Sequence, residues 1–511
     1  MISIFEKSNP INLNELFNAV KRGEDILIRT YSYDEEFDYI IERVVEKILA
    51  RYGLEVIKNA LAFCIRELTG NSRKAIVKRI FFTEHELSVS NEQDYQKGMN
   101  LFHKTIYNDI DIYNDRMKDE GYFISFHVIH NANSIVIKVE SNTELTYIEK
   151  ERITNKLNKV KGMKDLGSQL DSIIDTTEGA GLGLIMISMM LQKEGIDPDG
   201  FTIQATNDQK TASKIIIEKS KMVETPFSII SRTLIKEIET LPQFPENVRR
   251  IIQIINDEKA TLVEIARIIL QDVAMAADLL KLANSAFFML PKRVRSIEEA
   301  LKIVGLKGLK NLVYSYGTIS AISEKYGRYG KLEEIWSHSN RVSYYAVELA
   351  RGRKLRDIAE DAAIGGLLHD LGKIIISTLQ PDIIQKIKKI VLAKNNIPEH
   401  MVEELIVGIN HAKLGSMMAE HWNFPDHLIK SIEYHHVPGF ADIELAPLVY
   451  TVYFANALTD IERGIINHRN INREVLEFFN LFDIDDLKEL HQSLKSKLEL
   501  RISDHKNFDD K

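Results

Sequence analysis

The chain has 511 residues, more than one ordinary hydrophobic core holds, so two domains plus connecting pieces are expected. Its 44% hydrophobic and 27% charged residues are the balance of a globular protein. The 66 basic residues against 74 acidic ones, a net charge of -8, give no sign of the dense cationic surface that counterion-release binding to nucleic acid needs, and the basic residues Lys292, Arg293 and Arg295 read as a solvated surface. Lone Cys64 cannot form an internal disulfide, and residues 1–10, with Glu6 and Lys7, lack the apolar core of a secretory signal. The longest apolar stretch, residues 182–191, falls far short of the roughly 20 residues of a membrane span, so a cytoplasmic protein is expected.

In chain order, residues 1–25 read as a lead-in. Residues 26–218 mix helical patterns with β-branched runs, the texture of an α/β domain, with strand candidates at 75–82, 122–128, 134–139, 201–205 and 213–217. Residues 219–240 are expected to link the domains, as a helix because 226–239 is periodic. Pro242 and Pro245 then open an all-α domain over 241–465. Val248, Ile251, Ile252 and Ile255 repeat there at helical spacing, as do Leu262, Ile265 and Ile269, and Ser296 with Glu299 marks a helix start. Gly305 ends a helix rather than forming a DNA-reading turn. Residues 466–511 form C-terminal helices, in which Leu476, Phe479, Leu481, Leu487, Leu490, Leu494 and Leu498 make an apolar stripe that packs on the bundle or pairs with a second chain.

Histidines stand out in the second half. His369-Asp370 follows an apolar run, and an adjacent imidazole and carboxylate on one turn can bind one divalent cation or bridge two. His338, His411 and the pair His435-His436 arrive from separate helices. Residues 241–245 (LPQFP), 279–288, 297–312, 336–342 (WSHSNRV), 365–373 (GGLLHDLGK) and 411–425 together strongly resemble the HDOD family. The resemblance implies a compact helical bundle related to the HD phosphohydrolases. In that superfamily the positions matching His338, His369, Asp370, His411, His435 and His436 hold metal (iron, manganese or zinc), which generates a hydroxide for attack on phosphorus. Lys373 then has the catalytic role of neutralising a phosphate oxygen. Two departures are visible. Asn456 stands where the superfamily closes its site with an aspartate, and the glycine-tyrosine-proline signature of the cyclic-di-GMP phosphodiesterases is absent after His435-His436.

In the first half, residues 67–75 (ELTGNSRKA) resemble the N-box of the GHKL, histidine-kinase-like ATP-binding domains, and 179–184 (GAGLGL) resemble their glycine-rich box. The resemblance implies a Bergerat-type α/β sandwich. In it Asn71 contacts the magnesium of a bound ATP, Glu67 shares its helix face, Lys74 reaches phosphate, and Gly179, Gly181 and Gly183 let the backbone close over the phosphates. The aspartate and glycines that recognise adenine are missing after the strand at 134–139.

The combined expectation is a signal-transduction regulator, in which a kinase-like domain sensing a nucleotide or a protein partner controls an HDOD output or scaffold domain. A metal-dependent phosphohydrolase acting on a nucleotide or cyclic dinucleotide, and a GHKL-type ATPase or protein kinase, stay open as alternatives. Signalling proteins are the expected partners, with a homodimer also open; membrane and nucleic acid are not expected.

Overall fold

The computed structural model describes residues 2–6, 11–54, 57–105, 110–161, 182–206, 208–222, 229–255, 261–271, 273–284, 294–327, 332–393 and 398–509. The chain divides into two compact units, Met1–Pro226 and Phe227–Lys511. Among the described residues no helix is long and apolar enough to cross a membrane.

The first unit is α/β. Its elements run β1 (Ile2–Glu6), α1 (Leu13–Arg22), β2 (Asp25–Thr30), α2 (Glu35–Tyr52), α3 (Lys58–Glu84), α4 (Glu92–Thr105), α5 (Asn114–Asp119), β3 (Ile124–His130), β4 (Ser134–Ser141), α6 (Tyr147–Lys161), α7 (Leu182–Lys193), β5 (Phe201–Ala205) and β6 (Thr211–Glu218). The strands form one mixed sheet in the order β1-β2-β3-β4-β6-β5, parallel between β1 and β2 and antiparallel elsewhere. Alternate residues bury one face: Ile26, Ile28, Phe126, Val128, Ile137, Val139, Ile215 and Ile217 are sealed, and α3 packs against β3 and β4.

Two sequence expectations are corrected here. Residues 75–82 are helical, inside α3, not a strand. Ile76, Val77, Ile80 and Phe81 are buried at helical spacing, so the β-branched run serves a helix face rather than an alternating one. Residues 1–25 are not a lead-in outside the domain, because Ile2–Glu6 pairs with Asp25–Thr30 as an edge of the sheet.

The second unit is helical throughout its described residues: α8 (Ile229–Glu239), α9 (Glu246–Ile255), α10 (Leu262–Ile269), α11 (Val273–Ala283), α12 (Ile297–Tyr326), α13 (Leu332–Gly352), α14 (Ala359–Leu368), α15 (Gly372–Ile376), α16 (Pro381–Ala393), α17 (Glu399–Val407), α18 (His411–His421), α19 (Asp426–Glu433), α20 (Ala446–Glu462), α21 (Arg473–Phe478) and α22 (Ile484–Asp509). The Ser296 hydroxyl accepts the Glu299 N–H and starts α12, which Gly305, at φ 68° and ψ -171°, breaks into two helical pieces. The expected linker is in part this unit's own helix. In α8, Leu234 and Ile238 are buried, and Glu237 accepts the Tyr326 hydroxyl at 2.9 Å. The C-terminal stripe packs inward: Leu487, Leu494 and Leu498 join a core with Val342, Tyr345, Phe454 and Leu458 of α13 and α20.

Candidate metal centre

Helix crossings bring the histidines together, and glycines make the crossings close. A Cβ on Gly366 of α14 would lie 2.7 Å from Ser343 Cα, so α14 lies backbone-to-backbone on α13, the helix of His338. A Cβ on Gly372 would lie 2.0 Å from the His411 carbonyl oxygen and 2.7 Å from Gly415 N. Only glycine lets the turn holding His369 and Asp370 touch the start of α18. Gly408, at φ 85°, ends α17, and Asn410 caps α18 by accepting the Lys413 N–H, which sets His411 as the first residue of that helix. His435 and His436 follow the end of α19.

Asp370 lies among the rings. Its Oδ1 is 3.2 Å from His411 Nε2, 3.5 Å from His369 Nε2 and 3.9 Å from His435 Nε2; its Oδ2 is 3.5 Å from His338 Nε2. His436 Nε2 lies 2.8 Å from His411 Nε2. The donor atoms fall into two groups, His338–His369–Asp370 and His411–His435–His436, each within 4.8 Å. Three rings are anchored through Nδ1: His369 donates to the Gly366 carbonyl at 2.8 Å, His435 to the Ile432 carbonyl at 2.7 Å, and His411 to Glu403 at 2.6 Å. A neutral imidazole that donates at Nδ1 presents a lone pair at Nε2.

Burial and charge favour the ligand forms. Burial pushes His338, His435 and His436 well below the usual imidazole range and lowers His369 too. Burial works against the Asp370 charge, but His369, Lys373 and His411 overcome it and hold the carboxyl well below the carboxylate range. His411 differs: burial lowers it, yet Glu403 and Asp370 together raise it to about 9, so a cation entering there displaces a proton.

A divalent cation fits these residues on one direct observation. His369 Nε2, His435 Nε2 and Asp370 Oδ1 are buried and have no aligned hydrogen-bond partner. Buried polar atoms are satisfied in the great majority of cases, and each exception asks for a reason. Neutral imidazoles with a carboxylate are the donor set of zinc, iron and manganese.

Residues 241–438 match the HDOD domain family. An uncharacterized protein of Treponema pallidum (strain Nichols) is 32% identical over 489 residues, spanning 96% of this chain and 94% of that protein. The chain is an HDOD-domain protein. Its fold is also similar to three crystal structures. One from Shewanella amazonensis SB2B, bearing the name phosphohydrolase, is 24% identical over 52% of this HDOD protein and 93% of that chain, with a TM-score of 0.40. An HDOD domain protein with unknown function from Geobacter sulfurreducens is 23% identical over 54% and 94%, at 0.41. A protein of Marinobacter aquaeolei VT8 named for signal transduction is 16% identical over 60% and 75%, at 0.42.

The HDOD protein thus gathers His338, His369, Asp370, His411, His435 and His436 at one place. Lys373 is also there, but its Nζ is held by Asp370 Oδ2 at 2.9 Å and Glu399 at 3.0 Å, so its charge is engaged within the protein. Asn456 Oδ1 lies 3.1 Å from His338 Nε2, which puts an amide at the edge of the first group. One helical turn later is Asp460, which burial raises to about 7 against the pull of Lys373 and Arg463. Glu399, His400, Glu403 and Asp460 were not singled out from sequence. Glu399 and Glu403 stand i, i+4 on one helix face, and that spacing was the signal available. In the first unit, Glu67, Asn71 and Lys74 lie half-buried on α3, and Gly183 is buried in the first turn of α7, which packs on α3. Gly179 and Gly181 lie outside the described residues.

Proposed function

We propose that this protein is a signal-transduction regulator whose HDOD unit carries a divalent-metal centre. One ion is held by His338, His369 and Asp370 and a second by His411, His435 and His436. The observation that carries this reading is that His369 Nε2, His435 Nε2 and Asp370 Oδ1 are buried together without an aligned hydrogen bond, the two rings already anchored at Nδ1. Depth favours a regulatory or scaffolding use. The His369, His411 and His435 side chains are fully buried and Asp370 is 3% exposed, and closed metal sites are the structural kind.

Elemental analysis of purified protein tests the proposal. About two iron, manganese or zinc ions per chain are expected, and the ion of the His338–His369–Asp370 group is lost in Asp370→Ala. An empty native protein that takes up none of these ions makes the histidine cluster structural and overturns the reading.

Phosphoester hydrolysis is a second reading, favoured by the position of Asp370 between the two donor groups. Asp370 lies within reach of His338 and His411, so residues of both groups would hold the metal, which would supply an activated water for displacement at phosphorus. The chain's own part is to anchor the donors, keeping His338, His369, His435 and His436 neutral and Asp370 ionised. Metal-loaded protein that is inert toward phosphodiesters with added manganese rejects this second reading.

For the α/β unit we propose an input role on a kinase-type nucleotide fold. Asn71 sits on magnesium, with Glu67 beside it and Lys74 on phosphate, and the nearby start of α7 supports this. Calorimetric titration with Mg-ATP decides it: affinity abolished by Asn71→Ala is expected, and absence of binding to the native protein leaves partner sensing.

A further inference from the structure

Helix α17 supplies none of the six donors, yet three of its side chains reach the centre. Glu399 receives Lys373 Nζ at 3.0 Å. The His400 ring stacks on His436, with 4.3 Å between centroids and 17° between planes. Glu403, 2% exposed, accepts through one oxygen, Oε2, both His411 Nδ1–H at 2.6 Å and the His411 backbone N–H at 2.8 Å.

The Glu403 contact differs in kind from those at His369 and His435, whose Nδ1 atoms meet main-chain carbonyls. A carbonyl orients a ring; a carboxylate also makes its other nitrogen a stronger donor to a metal. The double contact fixes the ring and the start of α18 together, so His411 cannot turn without moving its helix. A carboxylate this deep is expensive to bury without such partners. Its partner residue belongs to only one of the two donor groups.

We infer that Glu403 is the positioning residue of the His411–His435–His436 group, selecting the His411 tautomer whose Nε2 serves a cation and leaving the His338–His369–Asp370 group unaffected. The inference rests on the metal reading above and divides that reading into two separately tuned halves.

The test titrates full-length, metal-stripped protein with Co²⁺, following heat and visible absorption, for the native chain, Glu403→Gln and Glu403→Asp. The native chain is expected to bind two ions. In E403Q one affinity falls by about 10- to 100-fold, the size of loss typical when such a partner is removed. The absorption of that ion changes and that of the other does not. E403D, which keeps the carboxylate, recovers part of the loss. The ion retained in E403Q reports that the unit is folded; should E403Q fail to fold, E403D alone is expected to weaken one ion and spare the other. Two unchanged affinities, or two that fall together, overturn the assignment to one group. A single ion in the native chain overturns the division itself, whereas no ion at all removes the metal reading beneath it.

Discussion

Lys373 Nζ lies 2.9 Å from Asp370 Oδ2, three residues earlier on the same turn, and this pairing decides what Lys373 does. Asp370 is 3% exposed and Lys373 19%, so the pair is shielded from water, and the second contact to Glu399 completes a carboxylate–ammonium–carboxylate chain. The side chain that sequence assigns to a substrate phosphate is holding a metal-ligand candidate in place.

Removing that cation therefore acts first on stability. Lys373→Met leaves the buried Asp370 carboxylate without its ammonium partner, and the partly exposed Glu399 without it too, which costs about 3 kcal/mol. Urea unfolding of metal-free protein, followed by a probe of the helical unit, is the measurement. A loss below about 0.5 kcal/mol, the scale of ordinary surface substitutions, means that the pair is solvated and the engaged-lysine account is wrong.

Gly372 is under the tightest steric demand. Gly372→Ala places a Cβ 2.0 Å from the His411 carbonyl, against backbone that cannot swing aside, so a destabilisation of about 3 kcal/mol and loss of metal at the His411 group are expected. Gly70, inside α3 with open space around it, is the contrast: Gly70→Ala gains about 0.5–1 kcal/mol. Thermal midpoints of the two variants that move in the same direction reject the crossing argument.

Asn456 tests the closing position of the site. Asn456→Asp puts a negative oxygen 3.1 Å from His338 Nε2, and metal affinity at the first group is expected to rise on the order of tenfold, as single changes around a metal do. Competition with a chelator of known affinity reads it. An unchanged or weakened affinity places Asn456 outside the ion's reach.

In the α/β unit, Glu149 sets an acid limit. Burial opposes its charge, but hydrogen bonds and charge from Arg79, with Lys78 beside it, bring its carboxyl from 4.5 to about 2. The folded value is the lower one, so the contribution is complete above pH 4.5 and disappears as pH falls toward 2. Its size is about 3 kcal/mol. Glu149→Gln is expected to lose that stability at neutral pH and to flatten its decline between pH 4.5 and 2. A decline as steep as the native one assigns acid unfolding to other carboxylates.

Much of this was legible from local pattern. The change from mixed texture to pure helical spacing near residue 241, the ordered motifs around His369-Asp370, and the apolar stripe of Leu487, Leu494 and Leu498 are all readable because helix periodicity and short motifs are properties of neighbouring residues. The misread segment, Ala75 to Phe82, shows where local pattern fails: β-branched residues suit a strand, and only the neighbours of α3 decide that they line a helix. The edge strand Ile2–Glu6 was hidden for a related reason, since five residues carry too little pattern and their pairing lies with β2.

By itself, then, the amino-acid order determined which side chains could bind a metal and that they sit in a helical second half. Tertiary structure alone decided how they are used. Whether Lys373 faces a substrate or Asp370, whether Glu403 is a surface carboxylate or the anchor of His411, and whether Asn456 stands beside His338 all depend on how the surrounding helices cross. Those crossings are set by packing, down to the missing Cβ of Gly372, and hydrogen bonds as short as these exist only once packing has placed both partners.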